Sequence, residues 1–420
     1  MMIRFDVDLG EAFADITDPD AYVHGVPHAT FQRLRDEDPL SWWDEADGSG
    51  FWAVTRYDDL LSVSHNPRLF STARGIRLEE MNEEELKARC TMMEIDPPEH
   101  TNYRRLVGPP FSRREVLAYE EGIRLLARAV IDEVQGQSEF DFVECIARQL
   151  PMRMLGKMLG VPDSDGRWLV KKGDALIGNA DPEFTTHPVD LVDTNAYRLL
   201  PFRSPVSREL FAYAAEQARQ RRKQPTADVI SLLLQPKRDG EPLSEHEFKN
   251  FFTLLVAAGN DTTRYTMAAG MLALIEHPEQ MAELRDNPAL MPTAVEEVLR
   301  WGSVTMHFRR TATEDTELAG RRIKAGDKVV IWFISADYDE RQFPEPYHFD
   351  IKRTPNEHVA FGLKSPHKCL GEHLARVEIK MLFEELLPRL ADIRLNGPVE
   401  RLRSNFIAGI KHLPLQVSWT

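Results

Sequence analysis

The most informative part of this chain is the run His358-Val-Ala-Phe-Gly-Leu-Lys-Ser-Pro-His-Lys-Cys369-Leu-Gly-Glu-His-Leu-Ala-Arg376. It predicts a tight loop that leads into a helix and places one cysteine at the junction. The first N–H groups of a helix lack partners within the helix and form the positive end of its dipole, which favours a thiolate. We therefore predict that Cys369 is a metal ligand, whereas Cys90 and Cys145 are expected to be small buried apolar residues.

The residues around Cys369 suit a large planar cofactor. Gly371 allows close approach of the backbone, and Phe361 offers an aromatic wall. His367 and Arg376 add hydrogen-bonding or positively charged groups nearby.

Composition restricts the class of protein. The chain has 420 residues, 42% hydrophobic residues and a net charge of −15, so we expect one large globular domain, residues 1–420, that binds neither nucleic acid nor an anionic membrane. Three cysteines without regular spacing do not indicate a disulfide framework or a zinc site. The first ten residues mix polar and apolar types, and the sequence contains no run of about 20 apolar residues, so we expect no membrane anchor and a cytoplasmic location.

Apolar residues recur mainly at helical spacing, for example over 116–134 and 210–222. Short strand-like runs occur at 51–55, 329–334 and 415–418. The pattern predicts a mainly α fold with small β-sheets.

The cysteine run resembles the heme-binding loop of the cytochrome P450 family, with the matching residues Phe361, Gly362, His367, Cys369, Gly371 and Arg376. The loop has one more residue between Phe361 and Cys369 than the commonest form, a length similar to that of bacterial sterol, branched-lipid and terpenoid hydroxylases. The resemblance implies the cytochrome P450 fold, heme b as cofactor and Cys369 as the iron ligand.

A second motif lies in a predicted long helix that begins near Ser244, which can form a capping box with Glu247, and ends near Pro278. Its middle, Ala257-Ala-Gly-Asn-Asp-Thr-Thr263, is a poor helix former, so we expect a local kink or bulge. The segment resembles the oxygen-activation motif of the family. That implies that Ala258 lies over the heme, that Asp261 conducts protons and that Thr262 donates a hydrogen bond during oxygen activation.

Glu297 and Arg300 lie three residues apart, on one face of a predicted helix. An exposed salt bridge is one interpretation. The other follows from the resemblance to the Glu-x-x-Arg pair of the family, which implies a buried structural group with Arg353.

Pro97 and Pro98 predict a helix start, after which His100 and Arg104 share one helical face. The resemblance implies that these two residues, with Arg310 and His367, bind the heme propionates. Arg309 is the alternative to Arg310.

The resemblance also implies which residues form the substrate pocket: Leu254, Leu255, Ala258, Val304, Thr305, His307, Phe406 and Ile407. These are mostly apolar, so we expect a lipophilic terpenoid, steroid or alkyl-chain substrate. Small aromatic acids are the alternative.

Five residues on the cysteine side of the expected heme are basic or can become so: Arg113, Arg114, Lys364, Lys368 and His373. They form either an ordinary solvated face or a landing site for an acidic iron-sulfur ferredoxin. No dinucleotide-binding motif is present, so electrons are expected from NAD(P)H through a ferredoxin reductase and the ferredoxin.

Together these motifs predict a heme-thiolate monooxygenase that uses dioxygen. A nitric-oxide reductase, a peroxygenase and a heme sensor without turnover are the alternatives.

Overall fold

A computed structural model describes residues 14–45, 48–236 and 240–420. The helices are α1 (His28–Glu37), α2 (Tyr57–Ser64), α3 (Glu83–Arg89), α4 (Glu99–Val107), α5 (Arg113–Asp132), α6 (Gln149–Leu159), α7 (Asp163–Ile177), α8 (Val206–Lys223), α9 (Val229–Leu233), α10 (Glu245–Glu276), α11 (Pro278–Asp286), α12 (Met291–Gly302), α13 (Phe333–Ala336) and α14 (Glu372–Leu386). A π-helical turn, Val143–Ala147, precedes α6.

The strands are β1 (Leu40–Asp44), β2 (Gly50–Val54), β3 (Phe70–Ser71), β4 (Glu139–Asp141), β5 (His307–Ala312), β6 (Thr316–Leu318), β7 (Arg321–Ile323), β8 (Lys328–Trp332), β9 (Leu390–Leu395), β10 (Glu400–Arg401), β11 (Ile410–His412) and β12 (Pro414–Trp419). Five of them form a sheet in the order β1-β2-β8-β5-β3, in which only β2 and β8 are parallel. The order β4-β12-β9 forms a second sheet, and β6-β7 and β10-β11 are two-stranded. The expectation of a mainly α protein with small sheets is confirmed.

Helix α10 is the axis of the helical part. Its 32 residues span about 48 Å. Ser244 is its N-cap and forms the expected capping box with Glu247. Helices α6, α7, α8, α12 and α14 pack around it, so residues in the middle of α10 lie inside the protein.

The kink or bulge expected in α10 does not interrupt the helix. The helix is continuous through residues 257–263, although Thr262 donates its hydroxyl hydrogen to the carbonyl of Ala258 at 3.1 Å. Such a bond diverts a carbonyl from the backbone ladder, and the packing around α10 compensates for the low helix propensity of this segment.

The five-stranded sheet has an apolar core on each face, and both are distinct from the core around α10. Strand β8 is buried along its full length because β2 and β5 pair with its edges and both of its faces are covered. Val329 and Ile331 lie in one core, and Val330 and Trp332 lie in the other. Among the described residues, no helix combines the length and the hydropathy that a membrane crossing requires. The first ten residues, for which we expect no anchor, lie outside the described residues.

Candidate active site

The cysteine loop is closed by one backbone hydrogen bond. The N–H of Cys369 donates to the carbonyl of Phe361 at 2.8 Å. Between these residues the backbone turns through left-handed conformations at Gly362 (φ 72°) and Lys364 (φ 54°). Helix α14 then begins at Glu372 with Gly371 as N-cap, so the cysteine lies just before the helix, as predicted.

The thiol of Cys369 faces an internal cavity. Burial raises the pKa of this thiol, while a hydrogen bond from the backbone of Gly371 and the positive charges of Arg104 and Arg376 oppose the rise. The lowered thiol pKa expected from the helix start is therefore not found, because desolvation outweighs these favourable groups. Burial also raises the pKa of Cys90, to about 12, and the pKa of Cys145, as expected for inert cysteines.

Two arginines and two histidines lie beside the cysteine loop. Arg104 and Arg310 line the cavity, and Arg104 also donates to the carbonyl of Lys368 at 2.7 Å. His367 lines the cavity as well, and the ring of His100 lies behind it, with 4.1 Å between the ring centres. Within the described chain, Nε2 of His100 and Nδ1 of His367 are buried and have no hydrogen-bond partner. Buried polar nitrogens without partners indicate a polar group that binds there.

The alternation of side chains along β5 decides which of Arg309 and Arg310 faces the cavity. Successive side chains of a strand point to opposite faces, and of these two residues only Arg310 lines the cavity. Arg309 instead contacts Glu80 at 3.2 Å and donates to the carbonyl of Glu79 at 3.1 Å. Burial lowers the pKa of Arg310 to about 10, so its side chain stays charged at neutral pH.

The two polar residues of the α10 motif have different surroundings. Thr262 lines the cavity. Asp261 is fully buried, is not among the residues that line the cavity, and pairs with Arg264 at 3.1 Å. Arg264 also binds Asp174 of α7 at 2.6 Å and donates to the hydroxyl of Tyr265 at 2.6 Å. The carboxylate of Asp261 therefore belongs to a buried charged cluster adjacent to the wall that carries Thr262.

Glu297 is a fully buried acceptor for five donors. Arg300 reaches it twice at 2.8 Å, and Arg353 reaches it at 3.1 Å. The N–H of Asp350 and the side-chain amide of Asn356 supply the other two hydrogen bonds, at 3.0 and 3.1 Å. The geometry is that of a buried structural group, and an exposed salt bridge is ruled out for this pair.

A second ion pair, which the sequence analysis did not identify, joins the neighbouring Glu296 to the helix that follows the cysteine. Arg376 binds the carboxylate of Glu296 through two nitrogens at 2.7 and 3.0 Å, and Nε2 of His358 lies 3.0 Å from it. Contacts from Arg376 and His358 help hold the pKa of Glu296 at about 2, against the effect of burial. The two adjacent glutamates thus connect α12 to both ends of the cysteine loop.

We expect Glu297→Ala to reduce the free energy of unfolding by about 3–5 kcal/mol, because Arg300 would remain buried without its counter-charge. Urea titration followed by tryptophan fluorescence measures this change. Glu283→Ala is the matched control, since Glu283 pairs with Lys352 at 2.9 Å on the surface, and its expected cost is at most about 1 kcal/mol. Equal costs for the two variants would contradict the structural role of Glu297.

Most of the predicted pocket residues line the same cavity: Leu254, Leu255, Ala258, Val304, Thr305, Phe406 and Ile407. His307 is not among the lining residues. Its Nδ1 is 3.1 Å from the carbonyl of Asn405, and its ring packs 4.6 Å from that of Trp332. Burial lowers the pKa of His307 to about 3, so the ring is neutral. The next residue, Phe308, lines the cavity in its place.

Five charged residues that line the cavity were not predicted: Arg77, Glu79, Arg89, Glu94 and Glu378. Glu378 of α14 is buried, and burial alone raises its pKa to about 8. Arg77 lies in the segment between β3 and α3. Glu378 could have been found from the helical spacing that places it one turn after Ala375, whereas nothing local marks Arg77.

The sequence profile described as Cytochrome P450 matches residues 54–391. The chain belongs to the cytochrome P450 family. A linalool 8-monooxygenase from Pseudomonas putida is 36% identical over 95% of this chain and 97% of that protein. A methyl-branched lipid omega-hydroxylase from Mycobacterium tuberculosis is 35% identical over 99% of this chain and 95% of that protein.

Among solved structures, a Mycobacterium marinum cytochrome P450 in complex with pseudoionone superposes with a TM-score of 0.87 at 36% identity, covering 97% of this chain and 99% of that one. This cytochrome P450 is therefore a monooxygenase, an oxidoreductase that incorporates one oxygen atom. The alternatives of a nitric-oxide reductase, a peroxygenase or a heme sensor are set aside.

Heme b is the cofactor of the cytochrome P450 family, and the residues present fit it. Beside the thiol of Cys369, the cavity presents the guanidinium groups of Arg104 and Arg310 and the imidazole of His367, whose Nδ1 has no partner among the described residues; these groups suit two carboxylates. A Cβ added at Gly371, two residues after Cys369, would meet no atom within 4 Å, so there is open space beside this part of the loop.

Proposed function

We propose that this cytochrome P450 hydroxylates a terpenoid, steroid or alkyl-chain compound at a C–H bond, with electrons from a ferredoxin. One observation carries the proposal. The cavity that contains Cys369 and Thr262 continues between mostly apolar side chains, including those of Leu254, Val304 and Ile407. A cavity of this kind selects for shape and apolar surface.

Each site residue has a role in this proposal. Cys369 would ligate the heme iron through its thiolate, His100, Arg104, Arg310 and His367 would hold the propionates, and Phe361 and Gly371 would contact the cofactor. When bound, heme b would supply the activation of dioxygen and the transfer of oxygen. Ala258, which lines the cavity, would leave room for oxygen and substrate because its side chain is a single methyl group.

Proton handling is assigned to α10. We assign Thr262, which lines the cavity, as the hydrogen-bond donor there. Its hydroxyl hydrogen, which the carbonyl of Ala258 accepts in the structure, would have to rotate toward the cavity to donate. Asp261 moves protons on its carboxylate oxygen toward the cavity, from its position in the buried cluster with Arg264 and Asp174. The protons come ultimately from bulk solvent, and this route carries them past the mostly apolar cavity wall.

The relatives support a lipophilic substrate, because one is named for linalool and another for methyl-branched lipids. Small aromatic acids remain the competing class. A spectral screen separates the two, since a substrate that displaces water from the iron shifts the Soret band toward the high-spin form. We expect terpenoids, steroids or long alkyl compounds to give the shift and hydroxylated products to form with NADH, oxygen and redox partners. Tight binding of benzoates, with no response to any of the lipophilic compounds, would overturn the substrate assignment.

The ferredoxin assignment rests on the surface beside the cysteine loop. Arg113, Arg114 and Lys364 are exposed there, and Lys368 is half-exposed and paired with Glu372. Burial lowers the pKa of His373, with smaller contributions from Arg376, Lys368 and Arg113, so this histidine adds no full charge at neutral pH. The surface is thus basic in a chain whose net charge is −15, which favours encounter with an acidic protein.

We expect Arg113→Glu to slow reduction by a ferredoxin at low salt, and high salt to diminish the difference from the wild type. Stopped-flow reduction kinetics measure the rate, and reduction by dithionite should stay unchanged. Arg222→Glu is the control because Arg222 is an exposed arginine on α8. Equal slowing by both variants would point to net charge and would remove this surface as the docking site.

A cytoplasmic location follows from this proposal, because NAD(P)H, its source of electrons, is a cytoplasmic reductant.

A further inference from the structure

One guanidinium group in the cavity, that of Arg77, contacts two aromatic rings but no hydrogen-bond acceptor of the described residues. The guanidinium carbon of Arg77 lies 4.3 Å from the ring centre of Phe202 and 4.5 Å from that of Phe406. Within the ranges that the structure describes, Arg77 makes no hydrogen bond or ion pair. Aromatic rings attract a cation, but they accept none of its five N–H donors in the way that an oxygen does.

The nearby carboxylates are already engaged. Glu79 receives two hydrogen bonds from Arg89, at 3.0 and 2.7 Å, and a third from Arg203 at 3.2 Å. Glu94 accepts from the hydroxyl and the N–H of Thr91 at 2.6 and 2.9 Å. Burial raises the pKa of Glu94, which weakens it as a counter-charge.

The carboxylates nearest Arg77 therefore serve other groups. Glu79 is shared by Arg89 and Arg203, and Glu85 and Glu94 also act on Arg89. Burial lowers the pKa of Arg77 only to about 10, so Arg77 remains charged at neutral pH. Its guanidinium group is half-buried at the cavity wall, where an anionic ligand would supply the ion pair that the described residues do not.

Arg77 and the thiol lie in different regions of one cavity. The contacts of Arg77 are with Phe202, in the connection between α7 and α8, and with Phe406 near the C-terminal end. The groups that act on Cys369 are Gly371, Glu372, Arg104 and Arg376. The two sets share no residue, and the lining between them is mostly apolar.

We propose that Arg77 is the carboxylate-binding residue of the substrate site, and that the preferred substrates are lipophilic monocarboxylic acids. The acid end binds Arg77 between the two aromatic rings, and the apolar chain fills the remainder of the cavity. Oxidation then takes place on the chain, remote from the carboxylate. This inference rests on the proposed function and narrows its substrate class.

A purely structural role is the competing explanation, in which Arg77 only holds Phe202 against Phe406. The two explanations differ in one measurable respect. A carboxylate partner makes binding depend on the charge of the ligand, whereas a structural contact affects charged and neutral ligands of the same shape alike.

The test compares dodecanoic acid with its methyl ester, and geranic acid with its methyl ester, by spectral titration of the holoenzyme. We expect each acid to bind the wild type about tenfold or more tightly than its ester, the range for hydrogen bonds to a charged group. Arg77→Leu should remove this preference while leaving ester binding within about threefold. Arg77→Lys, which keeps the charge and loses the planar fork, should restore part of it.

Arg74→Leu is the control, because Arg74 is exposed three residues away and does not line the cavity. The carbon monoxide spectrum of each variant verifies that the heme site is intact. If acid and ester bind equally, or if Arg77→Leu weakens both to the same extent, the inference is wrong while the proposed function stands. If no acid, ester, terpenoid or steroid binds at all, the proposed function itself fails.

Discussion

Cys369→Ala should abolish the red-shifted Soret band of the reduced carbon monoxide adduct and all monooxygenase activity. The shift requires a thiolate ligand on the heme iron, and an alanine methyl group cannot ligate iron. In the structure Cys369 is the only cysteine among the described residues that lines the cavity. Difference spectra of the purified variant provide the measurement.

The other cysteines supply matched controls for this experiment. Cys90→Ala and Cys145→Ala remove a thiol of equal size from half-buried positions away from the cavity lining. Both variants should retain the full red-shifted band. A wild-type adduct with the spectrum of a histidine-ligated globin would refute the assignment of the ligand.

Thr262→Ala should separate the consumption of NADH from the formation of product. Without the hydroxyl in the cavity wall, reduced oxygen is expected to leave as hydrogen peroxide before transfer to the substrate. The product formed per NADH consumed should therefore fall by about tenfold, the size of effect expected when a charge-assisted hydrogen bond is lost. Parallel assays of NADH, product and peroxide measure the ratio.

Thr253→Ala tests whether the effect is specific to that hydroxyl. Thr253 lies on the same helix, and its hydroxyl likewise donates to the carbonyl four residues earlier, at 3.0 Å from Lys249. It is buried and does not line the cavity. This variant should keep the coupling of the wild type, and unchanged coupling in Thr262→Ala would exclude Thr262 from the reaction.

Features with a local cause could be predicted from the sequence. The capping box at Ser244 and Glu247 determines where α10 begins, since both partners lie within four residues. The cysteine loop is likewise determined by its own glycines and by the helix that follows. The strand-like runs 51–55, 329–334 and 415–418 correspond to β2, β8 and β12 because each contains a clear run of apolar or β-branched residues. Residues 333–334 are the exception, since they begin α13.

Features that depend on distant partners could not be predicted. The resemblance implied a strand over residues 304–308, but β5 begins only at His307 and ends at Ala312. Its polar residues give no strand pattern of their own and pair only between β8 and β3, so the choice between Arg309 and Arg310 stayed open. Strand alternation also turns the ring of His307 away from the cavity lining.

The partners of charged side chains could likewise be predicted only where they are close in sequence. Glu297 has a predictable partner three residues away, but its bonds to Arg353 and Asn356 cross more than 50 positions of sequence. The pairing of Glu296 with Arg376 spans 80 positions and has no local signal. That Arg77 forms no ion pair with the described residues can be recognised only from the structure, which shows that Glu79 binds Arg89 and Arg203.

The hydrogen bond that closes the cysteine loop has an evolutionary consequence. Because the N–H of Cys369 is fixed to the carbonyl of Phe361, the residues between them form a bulge whose two ends do not move apart when its length changes. The exposed Lys364, in a left-handed conformation, marks where this bulge extends outward. We therefore expect the deletion or insertion of one residue here to leave the thiol in place, so that variants of this bulge keep the same iron ligand.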